Sequence, residues 1–318
     1  MAKKKTAPKG PASKPAAKSR RLKQSSYKSF RLQKRIRHQQ RELSGSVKLF
    51  RQSLAPLRQN WKVFLGITLI YGFLTIILVR GIGGGLNLTE LKDTLKDGFS
   101  GQFASLATGA TLFSYLIGSA GSSTSATGGV YQTLLIMIVS LAAIWALRQL
   151  MAENEIRVRD SFYRGMFPLI PFILVLLVIG LQLIPLLLGS WLYSTVVNNA
   201  IAVNTLEKAV WLIFFLLLAV LSLYMIASSL FALYIVTLPD MTPMKALRSA
   251  RQLVLHRRFI VLRKILFLPL VLLILAAIIM IPLIIFLTPL AEWVFFGLTM
   301  FVVVIIHSYM YTLYRELL

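Results

Sequence analysis

Cysteine is absent from the 318 residues. That excludes structural disulfides, thiolate metal sites and cysteine nucleophiles. Acid is scarce as well: 11 Asp and Glu stand against 35 Lys and Arg, a net charge of +24. The three histidines, His38, His256 and His307, do not fall at metal-ligand spacing, so no metal and no cofactor is expected. Only 14% of the residues are charged, where a soluble domain carries about 25%. At the same time 57% are hydrophobic. A chain this apolar and this basic has to segregate its charge, and it does. Residues 1–41 hold 15 Lys and Arg and no acid, and long apolar runs begin only after residue 61. The composition is that of an integral membrane protein with a basic tail.

The amino-terminal segment carries no apolar core followed by a small-residue cleavage site, so no secretory signal is expected. Its freedom from acid, with Arg and Ser, also allows an organellar transit peptide. Lys interspersed with Pro and Ala over residues 1–18 reads instead as a disordered cytoplasmic tail. The division expected is a tail over 1–43 and a membrane domain over 44–318.

Six stretches are long enough to cross a bilayer as helices: 62–81, 130–148, 167–190, 209–237, 262–288 and 291–312. The fourth is long enough to tilt or to run past the membrane. The loops alternate in base content. Residues 1–61 hold 18 Lys and Arg. Loop 149–166 holds Arg157, Arg159 and Arg164, and loop 238–261 holds Lys245, Arg248, Arg251, Arg257 and Arg258. The intervening loops offer only Lys92 and Lys96, then Lys208, then no base at Thr288-Pro289-Leu290. The positive-inside rule places both termini in the cytoplasm, and a bacterial inner membrane is the expected location. Trp61, Trp145, Trp191, Trp211 and Trp293 all stand near expected span ends, where indole prefers to sit.

Three basic segments precede outgoing spans. In Ser44–Trp61, the residues Val47, Phe50, Leu54, Leu57 and Trp61 recur on one helical face, and Pro56 is expected to kink or interrupt it. Ile156–Met166 sets Phe162 and Met166 one turn apart. Thr242–Phe259 opens with Thr242 as N-cap and Pro243 at the first helical position, and Leu247, Ala250 and Val254 form its stripe. The following spans also correspond. Leu183-Ile184-Pro185-Leu186 matches Met280-Ile281-Pro282-Leu283, with Pro171 and Pro269 nearer the other end. The fold class expected is all-α: a polytopic bundle of six spans with interfacial amphipathic helices, arranged as three parallel two-span repeats. The alternative is that any two apolar helices containing proline look alike.

Ala246-Leu247-Arg248-Ser249-Ala250-Arg251-Gln252-Leu253-Val254, followed by Phe259 and a long apolar run, resembles a helix with the pattern A-L-x-x-S-x-x-L-V in approximate register, since Ala250 stands at the Ser position and Ser249 precedes it. That helix belongs to bacterial polytopic membrane-domain proteins related to the membrane portion of glycerophosphodiester phosphodiesterases. The resemblance implies a six-span membrane protein. The catalytic acids and histidines of the soluble phosphodiesterase portion have no counterpart here, so it implies no enzymatic activity.

No Asp, Glu, Lys or Arg falls in the middle of an expected span, which counts against a coupled transporter or an intramembrane enzyme. The polar positions inside spans are Gln182, Ser222, Tyr224, Ser228, Ser229 and the group His307-Ser308-Tyr309. Interhelical hydrogen bonding is one reading of them; a polar conduit or headgroup groove through Gln182, Ser222, Tyr224 and His307 is the other. Gly81 and Gly83-Gly84-Gly85 lack the context of a phosphate loop. Asn87–Phe99 reads as a short amphipathic helix with Asn87 and Glu90 as a capping box, and 101–129 as a mobile loop or a re-entrant segment.

The tail residues Lys3, Lys4, Lys5, Arg20, Arg21, Arg31, Lys34, Arg35 and Arg37, with Arg248, Arg251, Arg257 and Arg258, are candidate contacts to anionic headgroups or nucleic acid. Tethering beside a bilayer favours lipid, RNA or the ribosome is the competing partner, and a purely orienting tail is the bland alternative. A membrane protein partner is also allowed. The function expected is a non-enzymatic membrane organiser or accessory subunit on anionic lipid. The alternative is a passive or lipid-handling transporter with its pathway between repeats.

Overall fold

A computed structural model describes residues 43–80, 126–199, 201–255 and 257–318. These residues form helices and turns, with no strand among them. Among the described residues six helices are long and apolar enough to cross a membrane, so the chain is a multi-pass membrane protein.

The first unit comprises α1 (Ser46–Gln59), α2 (Trp61–Thr75), a π-helical turn Ile76–Arg80, and α3 (Ala126–Leu150). The second comprises α4 (Val158–Gly165), α5 (Leu169–Asn198), α6 (Thr205–Ser229) and the short α7 (Ala232–Ile235). The third comprises α8 (Pro243–Leu253), α9 (Arg258–Phe286) and α10 (Thr288–Leu317). Every unit is thus a short basic helix, an outgoing span and a return span.

The packing between units follows one rule. Each short helix lies on the return span of another unit: α4 on α3, α8 on α7 and α6, and α1 on α10. Each outgoing span does the same: α5 on α3, α9 on α6, and α2 on α10. The second unit leans on the first, the third on the second, and the first on the third, which closes a ring. Burial concentrates where these contacts meet, at Leu141–Leu147 of α3, Phe231–Val236 around α7, and Ser308–Tyr311 of α10. This is the basic end of the bundle. Away from it the hairpins pack more on themselves; Ala276, Met280, Ile284, Ala291 and Phe295 make a separate cluster between α9 and α10.

The closest approaches use small residues. In α4 the buried positions are Ser161 and Gly165, not the expected Phe162 and Met166. A Cβ on Gly165 would meet the Ala142 Cα and the Leu141 carbonyl oxygen at 3.1 Å, so α4 sits directly on the α3 backbone. In α1 the buried face is Leu49, Ser53 and Leu57. Of the face expected from the apolar spacing, Leu57 is buried and Phe50 and Leu54 pack against the core, whereas Val47 is 71% and Trp61 56% exposed. Lipid tails are as apolar as Val47 and Trp61, so these large residues can stay outside, and small ones such as Ser53, Ser161 and Gly165 let two helices come near. In α8 the expected Ala250 and Val254 are buried together with Ala246, while Leu247 packs at the margin.

Three further details depart from the sequence expectation. Helix α1 continues through Pro56 and ends at Gln59, where Asn60 N–H still donates to the Pro56 carbonyl at 3.1 Å. The carbonyl that proline leaves unpaired is that of Gln52, an exposed residue that polar surroundings can satisfy. The break comes at Asn60 instead. The third span runs on to Asn198, which leaves Trp191 inside the helix. The fourth span breaks after Ser229, where Ser228 and Ser229 hydroxyls both donate to the Met225 carbonyl, at 2.9 and 3.4 Å. Such back-bonding competes with the helical ladder and bends it. At its other end α6 begins with a capping box in which Asn204 and Glu207 pair reciprocally. The expected box at Asn87 and Glu90, the 101–125 segment and the glycines from Gly81 lie outside the described residues.

The prolines 171, 185, 269 and 282 all sit in the outgoing spans α5 and α9, with Pro185 and Pro282 deep inside them. Thr242 caps α8 as expected: its hydroxyl accepts from the Lys245 N–H at 3.4 Å, with Pro243 at the first helical position.

Candidate functional site

The short helix α8 carries two of the candidate arginines. Arg248 and Arg251 lie three residues apart, on one face of it, and both are exposed. Arg258 opens α9. These arginines line a groove of about 640 Å³ that also takes in Gln182 of α5 and Tyr224 of α6. Among the described residues, no acidic side chain lines it. Arg258 is set in place: its guanidinium carbon lies 4.7 Å from the centroid of the Tyr224 ring, and the Phe259 ring is 6.2 Å from the same ring. Gln182 is about 20 Å along α5 from Leu169, at 1.5 Å rise per residue. The groove therefore climbs from a basic interfacial helix well into the spans. Val178, Met225, Met244 and Leu247 supply its apolar walls.

Ser222 does not line this groove. It is fully buried, and its hydroxyl donates to the Gln182 main-chain carbonyl at 2.5 Å, fastening α6 to α5. The Gln182 side-chain oxygen is buried and has no hydrogen-bond partner among the described residues. His307 stands elsewhere, in α10, with its Nδ1 at 3.0 Å from the Tyr234 hydroxyl. Tyr234, Tyr311 and Tyr314 gather beside it, with Tyr234 and Tyr314 stacked at 6.2 Å between centroids. The four intramembrane polar candidates thus divide: Gln182 and Tyr224 face the groove, Ser222 is a helix fastener, and His307 belongs to a tyrosine cluster where two return spans meet. Arg257 immediately precedes α9 and is not a groove residue. Lys3, Lys4, Lys5, Arg20, Arg21, Arg31, Lys34, Arg35 and Arg37 lie outside the described residues, as do His38 and His256.

Two cations that the sequence expectation left aside hold the basic end together. Arg148, at the end of α3, donates to the Thr237 carbonyl at 2.8 Å and also to its hydroxyl. Lys264, only 3% exposed, donates its ammonium to the Ser44 carbonyl, and the Tyr309 hydroxyl donates to the Lys264 carbonyl at 2.9 Å. The sequence signal was a base set inside an apolar run, as in Leu262-Arg263-Lys264-Ile265.

A second groove, of about 740 Å³, lies between α3, α4 and the turn before α8. It mixes signs: Arg164 and the engaged Arg148 face it, and so does Asp240, held at φ 58°. Among the described residues, no three His, Cys, Asp or Glu side chains come together as a metal site would need. No family model matches the chain, and comparison with the curated proteins and with the solved structures finds no match either.

Proposed function

We propose that the protein is a non-enzymatic organiser or accessory subunit of the bacterial inner membrane, oriented with its basic end in the cytoplasm, where it engages anionic lipid. The observation that carries this reading is the groove lined by Arg248, Arg251 and Arg258 without an acid. Anionic lipid attracts each such residue by about 1 kcal/mol near the surface. The bias of base to alternate loops supports the cytoplasmic orientation. The segment Ala246–Val254, which resembles part of the membrane portion of glycerophosphodiester phosphodiesterases, falls in α8 and its C-cap, beside the groove.

The passive or lipid-handling carrier is the second reading. It is favoured by the depth of the groove, which reaches Gln182 in the middle of α5. Gentle purification from native membranes, of the full chain beside a chain lacking residues 1–41, separates these readings. The organiser predicts anionic lipid enriched in both preparations, together with a stoichiometric membrane partner. RNA or ribosomal protein that follows the tail would move the partner to nucleic acid. Movement of labelled lipid between leaflets of reconstituted vesicles, dependent on the protein, would favour the carrier.

A further inference from the structure

We infer that the groove between α5, α6 and α8 holds one phospholipid upright, and that it selects headgroups carrying two negative charges over those carrying one. The inference rests on the anionic-lipid reading above and names the ligand of that same site.

The charge count gives the selectivity. Arg248, Arg251 and Arg258 bring three permanent cations to one groove, with no acidic lining residue among those described. A guanidinium meets a phosphate through paired, charge-assisted hydrogen bonds, so one phosphodiester satisfies one or two of them. A phosphomonoester, at about −1.5 to −2 near neutral pH, or a headgroup with two phosphodiesters, balances the set more fully. Arg258 contributes a fixed direction, because the Tyr224 ring holds its guanidinium at 4.7 Å. Free phosphate would use the same arginines. It would make no use of Val178 and Met225, which continue the groove as an apolar wall along the spans. An acyl chain fits that wall, so the occupant is a phospholipid and not a soluble anion.

The test uses the full chain in phosphatidylcholine nanodiscs, with native mass spectrometry to count bound lipids. Phosphatidic acid, cardiolipin and phosphatidylglycerol are added in competition, and inorganic phosphate separately. The expected result is one saturable site that prefers phosphatidic acid and cardiolipin over phosphatidylglycerol by about fivefold for the additional charge. Arg248→Gln with Arg251→Gln should abolish that preference, while Arg157→Gln with Arg159→Gln should keep it. Equal retention of phosphatidylglycerol overturns the selectivity. Displacement of the lipid by millimolar phosphate overturns the choice of occupant. If the groove variants still hold anionic lipid with unchanged preference, the site is elsewhere and the broader reading stands. If no anionic lipid is retained over phosphatidylcholine, both fall.

A second measurement keeps the inference testable should the double variant lose its fold. The chain has no cysteine, and Met244 lines the groove while being 74% exposed, so Met244→Cys takes a single spin label. Spin-labelled phosphatidic acid should approach that label more than spin-labelled phosphatidylglycerol at equal mole fraction. Equal approach overturns the selectivity.

Discussion

The Ser308 hydroxyl donates to the main-chain carbonyl of Ser53 at 2.5 Å, and both residues are fully buried. The pair joins the first short helix to the last span, 255 positions away, and so closes the ring of three units. Ser308→Ala should cost about 1 kcal/mol, the net worth of one hydrogen bond. Ser308→Leu should cost more, about 1–3 kcal/mol beyond that bond, because a large side chain would have to enter a closed contact. Thermal unfolding in detergent checks both. Equal effects from Ala and Leu would mean that the helices are not held this near.

Gly165 tests the same principle where α4 meets α3. Gly165→Ala places a methyl group 3.1 Å from the Ala142 Cα and the Leu141 carbonyl oxygen, which are backbone atoms and cannot simply rotate away. A loss of about 1–3 kcal/mol is expected. Gly180→Ala is the control, since a Cβ there meets nothing within 4 Å and alanine favours a helix more than glycine does. Paired melting curves should move in opposite directions.

Arg148 anchors the end of the first return span to the end of the second through the Thr237 carbonyl and hydroxyl. Arg148→Met should cost about 1.5–3 kcal/mol, the range for hydrogen bonds to a charged group. Tyr234→Phe removes only the hydroxyl that meets His307 and keeps the ring stacked on Tyr314, so a smaller loss of about 1 kcal/mol is expected. Both are read from unfolding of the purified protein.

These residues also mark what the sequence made legible. The six spans were readable because a bilayer demands long apolar runs. Thr242 and Pro243 announced the start of α8 because capping is local. The faces of α1 and α4 were readable only in part: Leu57 is buried and Phe50, Leu54 and Phe162 pack against the core, but the closest contacts fall elsewhere. Apolar spacing selects large residues such as Val47, whereas in lipid the contacts fall on Ser53, Ser161 and Gly165. The helix break near Ser228 depends on hydroxyls that can face a neighbour or their own backbone, and sequence does not distinguish the two. For the site, each candidate was identifiable by its chemistry, but not its company. Gln182, Tyr224 and the arginines of α8 come together only because the third unit leans on the second, while His307 pairs with a tyrosine 73 positions away.

Sidedness has a direct check in this cysteine-free chain. Asn154→Cys lies in the turn before α4, and Val203→Cys in the turn between α5 and α6; both positions are exposed. An impermeant maleimide added outside intact spheroplasts should label position 203 and spare position 154. The reverse pattern would invert the orientation and remove the groove from the cytoplasmic leaflet.

The most direct test of the central claim is a structure of the full chain in nanodiscs containing phosphatidic acid. Phosphate density is expected within hydrogen-bond distance of Arg248, Arg251 and Arg258, with an acyl chain running past Met225 toward Gln182. A groove closed by its own side chains, or filled by another protein helix, would contradict it.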